Sequence, residues 1–326
     1  MSNRRQMLQH GAALPLAFAL PPLAAQPAQT VVWSGFPSGG LGDQVTRPLL
    51  ERLKGRWPGA VILDSKPGAG GRIAADFVKR AAPDGATLLQ LPSSPLTIYP
   101  HSYGRKLSYD PLVDFVAVTP LAGYTLSMSV GPGVPADVRT VADFVRWAKA
   151  NPDKANYGIP APGSVPHFVG MMFERAAGVP MKSIPYKGGA PLLQDLMGGQ
   201  VAVAFNVVSE VLPHVRSGRL RSLAVASPQR WASLPDVPTL AELGYKDIVA
   251  VEFLGWYAPA RTPPEFVAKL NAAVQEALAT PEMAAVFQQH GLVPLREGPE
   301  AFAQRVRAEL AHWGPVVKAT GFTPED

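Results

Sequence analysis

A chain of 326 residues, 47% hydrophobic and 17% charged, is long enough for two ordinary domains and apolar enough to bury a substantial core. Its formal charge of +5 is dispersed, with no Lys/Arg run and no basic stripe interleaved with aromatics, which argues against nucleic acid as a partner. There is no cysteine, so disulfides, thiolate zinc sites and cysteine nucleophiles are excluded, and an oxidising compartment is compatible.

The first residues are basic, with Arg4 and Arg5 side by side ahead of Met7-Leu8. An apolar run over 11–25 follows, broken by Pro15, Pro21 and Pro22 and closed by small residues at Ala24-Ala25. This layout reads as a signal peptide over 1–27, similar to a twin-arginine export signal. The run is too short and too proline-broken for a membrane span. The mature chain is expected to be exported, soluble and periplasmic.

Residues 31–34 predict a strand, followed by the glycine-rich loop Gly35-Phe36-Pro37-Ser38-Gly39-Gly40 and a helix starting near 41–43. Glycines let backbone N–H groups turn inward, and a helix N-terminus favours an anion in front of it, so this stretch can seat a carboxylate or phosphate without a cation. A tight turn of any α/β protein explains it equally well. Residues 60–64 predict a second strand, with the glycine loop 66–71 and a helix over 73–81. Residues 87–91 predict a third, running into Pro92-Ser93-Ser94-Pro95. Parallel strands joined by helices make a doubly wound sheet, whose ligands sit outside the carboxyl ends of the strands; both glycine loops and Ser93-Ser94 fall at that edge.

Residues 115–121 and 125–130 predict two strands that cross rather than form a hairpin. A helix over 140–150 follows, and the strand–loop–helix pattern resumes: strand 155–159, loop 160–167, helix 168–177, strand 182–186, loop 187–189, helix 191–197, then strands 201–207 and 220–226. The stretch 227–244 reads as irregular. A strand over 251–258 can return to the first half, and helices are expected at 266–279, capped by Thr262, at 281–290 and at 299–313. The last two are expected to pack against the first sheet. Two such lobes joined by two crossings describe a clamshell.

Phe36-Pro37-Ser38-Gly39-Gly40 with Asp43 and Arg47, Lys66-Pro67-Gly68-Ala69-Gly70-Gly71, Ala82-Pro83-Asp84-Gly85 and Tyr109-Asp110-Pro111 carry a family resemblance. It continues through Gly163-Ser164 with His167, Pro185-Tyr186-Lys187-Gly188, Leu220-Arg221-Ser222-Leu223-Ala224-Val225 and Leu234-Pro235-Asp236-Val237-Pro238-Thr239. In order and spacing the set resembles the Bug-type periplasmic solute receptors of the tripartite tricarboxylate transporters. The resemblance implies an α/β, type II periplasmic-binding-protein fold, two doubly wound lobes around a ligand cleft, with lobe 1 over 28–123 plus 228–326 and lobe 2 over 124–227. It implies a small carboxylated organic ligand, transporter subunits in the membrane as partners, a monomer and no cofactor. The ligand's carboxylate would be held through Phe36, Gly39, Gly40, Leu41 and Asp43, and the second lobe would contribute Gly163, Ser164, His167 and Asn206. Ser38 stands where a second proline is usual and adds a hydroxyl to the seat; Ser65-Lys66 replaces the common Asn-Arg.

Individual residues keep two readings. Asp43 suits a ligand ammonium or hydroxyl as well as a helix cap. Ser164 can cap its helix, bind a carboxylate, or both. His167 reads as packed or as a contact, Tyr186 as cleft or core, Trp256 as core, and Arg72 as paired with Asp76. No serine sits in a Gly-x-Ser-x-Gly elbow, the histidines lack metal spacing, and the glycine loops match no nucleotide motif, so neither catalytic residues nor a metal is expected. Two other classes remain: a receptor presenting its ligand to a membrane sensor, and an exported α/β enzyme acting on carboxylates.

Overall fold

The computed structural model describes residues 27–324, so the signal segment falls outside the described residues except for Pro27. In chain order, β1 (Gln29–Ser34) leads to α1 (Leu41–Leu53), β2 (Ala60–Ser65) to α2 (Arg72–Lys79), and β3 (Thr87–Pro92) to the single-turn helices α3 (Ser94–Thr97) and α4 (Tyr99–Ser102). Then come β4 (Phe115–Val130), α5 (Val141–Ala150), β5 (Asn156–Ile159), α6 (Val165–Ala177), β6 (Lys182–Pro185), α7 (Gly189–Met197), β7 (Val203–Val207), α8 (Val208–Arg216) and β8 (Arg221–Val225). The chain ends with β9 (Val251–Pro259), α9 (Pro264–Leu278), α10 (Pro281–His290), β10 (Val293–Pro294) and α11 (Pro299–Thr320).

Among the described residues ten strands form one sheet, with the path β2-β1-β3-β9-β4-β7-β5-β6 and with β8 and β10 both paired to β4. β1 runs parallel to β2 and β3, and β5 runs parallel to β6 and β7. Each parallel set therefore sends its βα loops to a common edge. The sequence predicts two strands where the structure has the single strand β4. Pro120 does not end it, because the ladder with β9 shifts register between Ala117 and Thr119 and again between Pro120 and Ala122, which places the missing N–H in an irregular stretch. From Phe115 to Thr125 β4 pairs with β9, and from Leu126 to Val130 with β7 and β8. The expected crossing is thus one unbroken strand, and β9 returns to pair with both β4 and β3.

Each part of the sheet has its own core. Leu41, Val45, Leu49 and Leu53 lie at helical spacing on α1 and pack with Leu270 and Val274 of α9 and with Trp256. Around the other strands Phe168 and Phe173 of α6 join Tyr157, Phe205 and Phe144. The sequence predicts that α11 ends at Trp313 and packs against the first sheet. The helix continues to Thr320, with Phe302 and Val306 in the core beside β3 and β9, and Trp313 and Val317 in the core around α6. Burial of those last two residues accompanies the continuation of the helix through Pro315. Two further corrections concern helix starts. Thr262 does not cap α9: its hydroxyl donates to the Pro259 carbonyl, and Pro263 holds the cap position. α6 starts at Val165, with Pro166 in the first turn, where a missing N–H costs nothing.

Candidate functional site

The loops after β1, β3, β5, β6 and β7 meet at one cleft, together with Tyr124 of β4 and Glu252 and Leu254 of β9. The space open to the centre of a water molecule is about 80 Å³. Six of the predicted residues line it: Phe36, Gly40, Leu41, Ser94, Ser164 and Asn206. The structure does not bring the other seven to its surface. Ser38 and Gly39 are exposed at the outer turn of the first loop. The Gly39 N–H donates to Asp43 Oδ2, and Asp43 also pairs with Arg47, so its carboxylate fastens the start of α1. Ser93 lies one layer behind, donating to Glu252. Gly163 donates its N–H to His167 Nδ1. The His167 ring packs at a tilt against Tyr157 and edge-to-face with Phe322, and burial drops its imidazole to about 4, so it is neutral at pH 7. The Tyr186 hydroxyl donates to Asp195.

Local chemistry explains these placements. Ser164 neither caps α6 nor stays free: its hydroxyl donates to the Ala161 carbonyl at 2.6 Å. The first N–H of α6, at Val165, instead donates to Ser94 Oγ at 3.1 Å. The second glycine loop cradles Tyr99. Gly70 has φ +64°, and a Cβ there would stand 2.2 Å from the Tyr99 hydroxyl. Arg72 does not pair with Asp76, which takes Arg80; its guanidinium stacks 3.9 Å over Tyr103.

Four residues that matter most escaped the sequence reading: Gln90, Tyr99, Glu210 and Glu252. Gln90 is 1% exposed, and its Oε1 accepts from Trp256 Nε1 at 2.9 Å and from the Thr46 hydroxyl. Indole nitrogen donates only, so the amide orientation is set and Nε2 faces Gly42 at the cleft wall. Nε2 finds no hydrogen-bond partner among the described residues, nor do Asn206 Nδ2 and the Tyr99 hydroxyl. Asn206 and Tyr99 are both fully buried, and all three residues line the cleft.

Two carboxyl groups share the site. Glu252, on β9, accepts from the Ser93 and Ser94 hydroxyls at 2.9 and 2.8 Å. Burial pushes it up to about 7, against the pull of those hydroxyls. Glu210, on α8, reaches across to α1, where its Oε1 accepts from the Leu41 N–H at 3.2 Å. Burial pushes it to about 7 as well, opposed by Leu41 and by the nearby Asn206 amide. Its Oε2 is sealed from solvent and, the nearby Asn206 amide apart, faces no hydrogen-bond donor among the described residues. Among the described residues no Lys, Arg or His lines the cleft. The signal for Glu210 lay in Val208, Val211, Leu212 and Val215, whose helical spacing marks α8, while Pro213 and the lack of a capping side chain obscured it. Gln90 and Glu252 each interrupt an apolar strand, which is a legible anomaly.

A sheet of this order, with its βα loops converging on one cleft and one long strand passing between two sets of partners, defines a periplasmic-binding-protein fold of type II. The family model described as "Tripartite tricarboxylate transporter family receptor" matches residues 45–322. The chain belongs to that family. It is 33% identical to the protein BugT of Bordetella pertussis strain Tohama I over 297 residues, 91% of this chain and 90% of that one. Among solved structures, R. palustris Rpa4515 with adipate matches at a TM-score of 0.86 and 31% identity, covering 92% of this chain and 99% of that one. MatC (Rpa3494) from Rhodopseudomonas palustris with bound malate matches at 0.82 and 29%, covering 89% and 99%.

Proposed function

We propose that the protein is a periplasmic solute receptor that captures a small carboxylated organic ligand in this cleft and delivers it to a tripartite tricarboxylate-type transporter in the membrane. The observation that carries the reading is the set of three buried donors in residues that line the cleft, Gln90 Nε2, Asn206 Nδ2 and the Tyr99 hydroxyl, which find no hydrogen-bond partner among the described residues. A buried donor left unpaired costs about 1–3 kcal/mol. A ligand carboxylate, with two oxygens and several lone pairs, satisfies all three without any cation from the protein. Related structures carrying adipate and malate support the same ligand class.

In this reading 28–123 with 228–326 forms one lobe and 124–227 the other. The lobes close on the ligand about β4 and β9, and the chain acts as a monomer exported by its signal segment. The Phe36–Leu41 loop, Ser94 and Tyr99 approach from one side, and Ser164 and Asn206 from the other. The test is calorimetric titration of mono-, di- and tricarboxylic acids into protein that has been unfolded, dialysed and refolded to strip any bound ligand. Binding by at least one acid with a micromolar or lower Kd is expected. Absence of heat and of thermal stabilisation across the whole panel would overturn the assignment.

A further inference from the structure

We infer that Tyr103, which stands outside the lining of the cleft, is a positioning residue that holds the cleft shut by clasping the Pro162 carbonyl from the opposite lobe. This rests on the receptor reading and adds the device that retains its ligand.

The loop between β5 and α6 brings Pro160, Ala161 and Ser164 to the cleft. Neighbours within its own lobe fix its backbone at two points. The Gly188 N–H donates to the Pro160 carbonyl at 2.8 Å, and the Gly163 N–H donates to His167 Nδ1 at 3.0 Å. The carbonyls at the tip turn instead to the end of α4 on the other lobe. Pro162 accepts from the Tyr103 hydroxyl at 3.0 Å, and the Gly163 carbonyl lies 3.5 Å from the Ser102 hydroxyl. Opening the cleft along this seam therefore breaks the Tyr103 bond.

Tyr103 is itself held in place. The Arg72 guanidinium stacks on its ring, and Arg72 Nε donates to the Ala69 carbonyl at 2.9 Å, which anchors the stack to the second glycine loop. Tyr99 packs against it edge to face, with ring centroids 5.0 Å apart. Tyr99 lies one turn earlier in the same short helical stretch, and it lines the cleft where Tyr103 does not. One segment thus sets both phenols, so a shift of α4 that frees Pro162 also displaces Tyr99 from the cleft wall.

The seam accounts for Gly163, which does not line the cleft. Its φ is +67°, and a Cβ there would stand 3.1 Å from Ser102 Oγ, 3.2 Å from Tyr103 Cε2 and 3.3 Å from Phe322 Cε1. A glycine lets α4 come this close. Gly178, at the end of α6, has a similar φ of +60° with nothing within 4 Å of a Cβ. It offers the same backbone strain without the contact across the seam.

The test takes the tightest binder among succinate, malate, adipate and citrate, or failing those the wider acid panel, and follows its binding to the refolded full chain by stopped-flow tryptophan fluorescence. Tyr103→Phe removes the hydroxyl and keeps the ring under Arg72. Dissociation should accelerate at least about threefold, association should stay within about twofold, and the melting temperature should move by only a few degrees. A merely structural role would lower the melting temperature and leave the dissociation rate of the folded protein unchanged. Gly163→Ala should accelerate dissociation more than Gly178→Ala does, and this pair serves if Tyr103→Phe does not fold. An unchanged dissociation rate in Tyr103→Phe, or equal rates in the two glycine variants, overturns the inference while leaving the receptor reading intact. If no acid binds the wild-type protein, the receptor reading fails and takes this inference with it.

Discussion

Replacing Glu252 with glutamine should stabilise the protein in alkali and leave it nearly unchanged in acid. Glu252 is 4% exposed, and burial first, with Glu309 adding like charge, lifts its carboxyl to about 7 from an ordinary 4.5. The unfolded chain gives up this proton near pH 4.5 and the folded chain near pH 7. Stability from this group is therefore fully present below about pH 4.5 and is lost as the pH rises through 7. The gap between 4.5 and about 7, at about 1.4 kcal/mol per pH unit, amounts to about 3 kcal/mol. Glutamine preserves the contacts: its Oε1 can accept from both serine hydroxyls, as Glu252 Oε2 does, and its amide can donate to the Tyr124 hydroxyl that lies beside Glu252. Any constant cost of the swap cancels when the two proteins are compared across pH. The assay is urea unfolding of wild type and Glu252→Gln from pH 4.5 to 8.5, in buffers free of carboxylates so that no bound acid shifts the midpoint. The variant should gain about 3 kcal/mol relative to wild type over that interval. A difference that stays flat within about 0.5 kcal/mol, or that falls with rising pH, would refute the argument that Glu252 is buried at an energetic cost.

Three more substitutions probe the cleft. Gly40→Val places a branched side chain against Glu210 Oε1 at a backbone conformation that valine adopts freely (φ −85°), so ligand affinity should drop at least tenfold while the melting temperature moves by only a few degrees; calorimetry and thermal unfolding read the two separately. Asn206→Asp keeps the acceptor for the Val207 N–H but puts an anion where a donor faces the ligand, and should weaken carboxylate binding by about tenfold or more in the same titration. Gly70→Ala forces a Cβ to 2.2 Å from the Tyr99 hydroxyl at positive φ, and should lower unfolding free energy by at least about 1 kcal/mol; an unchanged midpoint would show that Tyr99 is not held there.

What could be read from the sequence follows from how local each signal is. The loop from Phe36 to Leu41 and the strand–loop–helix alternation are local patterns of glycine and apolar spacing, and they placed the cleft at the right sheet edge. Serine, histidine and aspartate near that edge were harder to judge, because a hydroxyl or carboxylate beside a helix start is equally suited to its own backbone. Asp43 and Ser164 turn inward to Gly39 and Ala161 for that reason. The groups left facing the cleft are set by distant contacts. Gln90 is oriented by Trp256, 166 residues away, and Glu210 meets Leu41 across 169 residues. Pairings of that range leave no periodic trace. β4 reads as two strands because Ala122-Gly123-Tyr124 separates two apolar runs and only the partner strand β9 shows that pairing continues through it, and α11 reads as ending at Trp313 because its final turns gain their burial from the core around α6 and not from their own spacing.

The most direct test of the account is native mass spectrometry of the protein isolated from the cells that make it, compared with the same sample after denaturation. The expected result is a complex heavier than the bare chain by one small organic acid, released on unfolding and able, when added back at about 100 times its Kd, to stabilise the refolded protein by about 2.7 kcal/mol. A bare mass in the native sample, together with no stabilisation by any carboxylic acid, would contradict the claim that this cleft binds one.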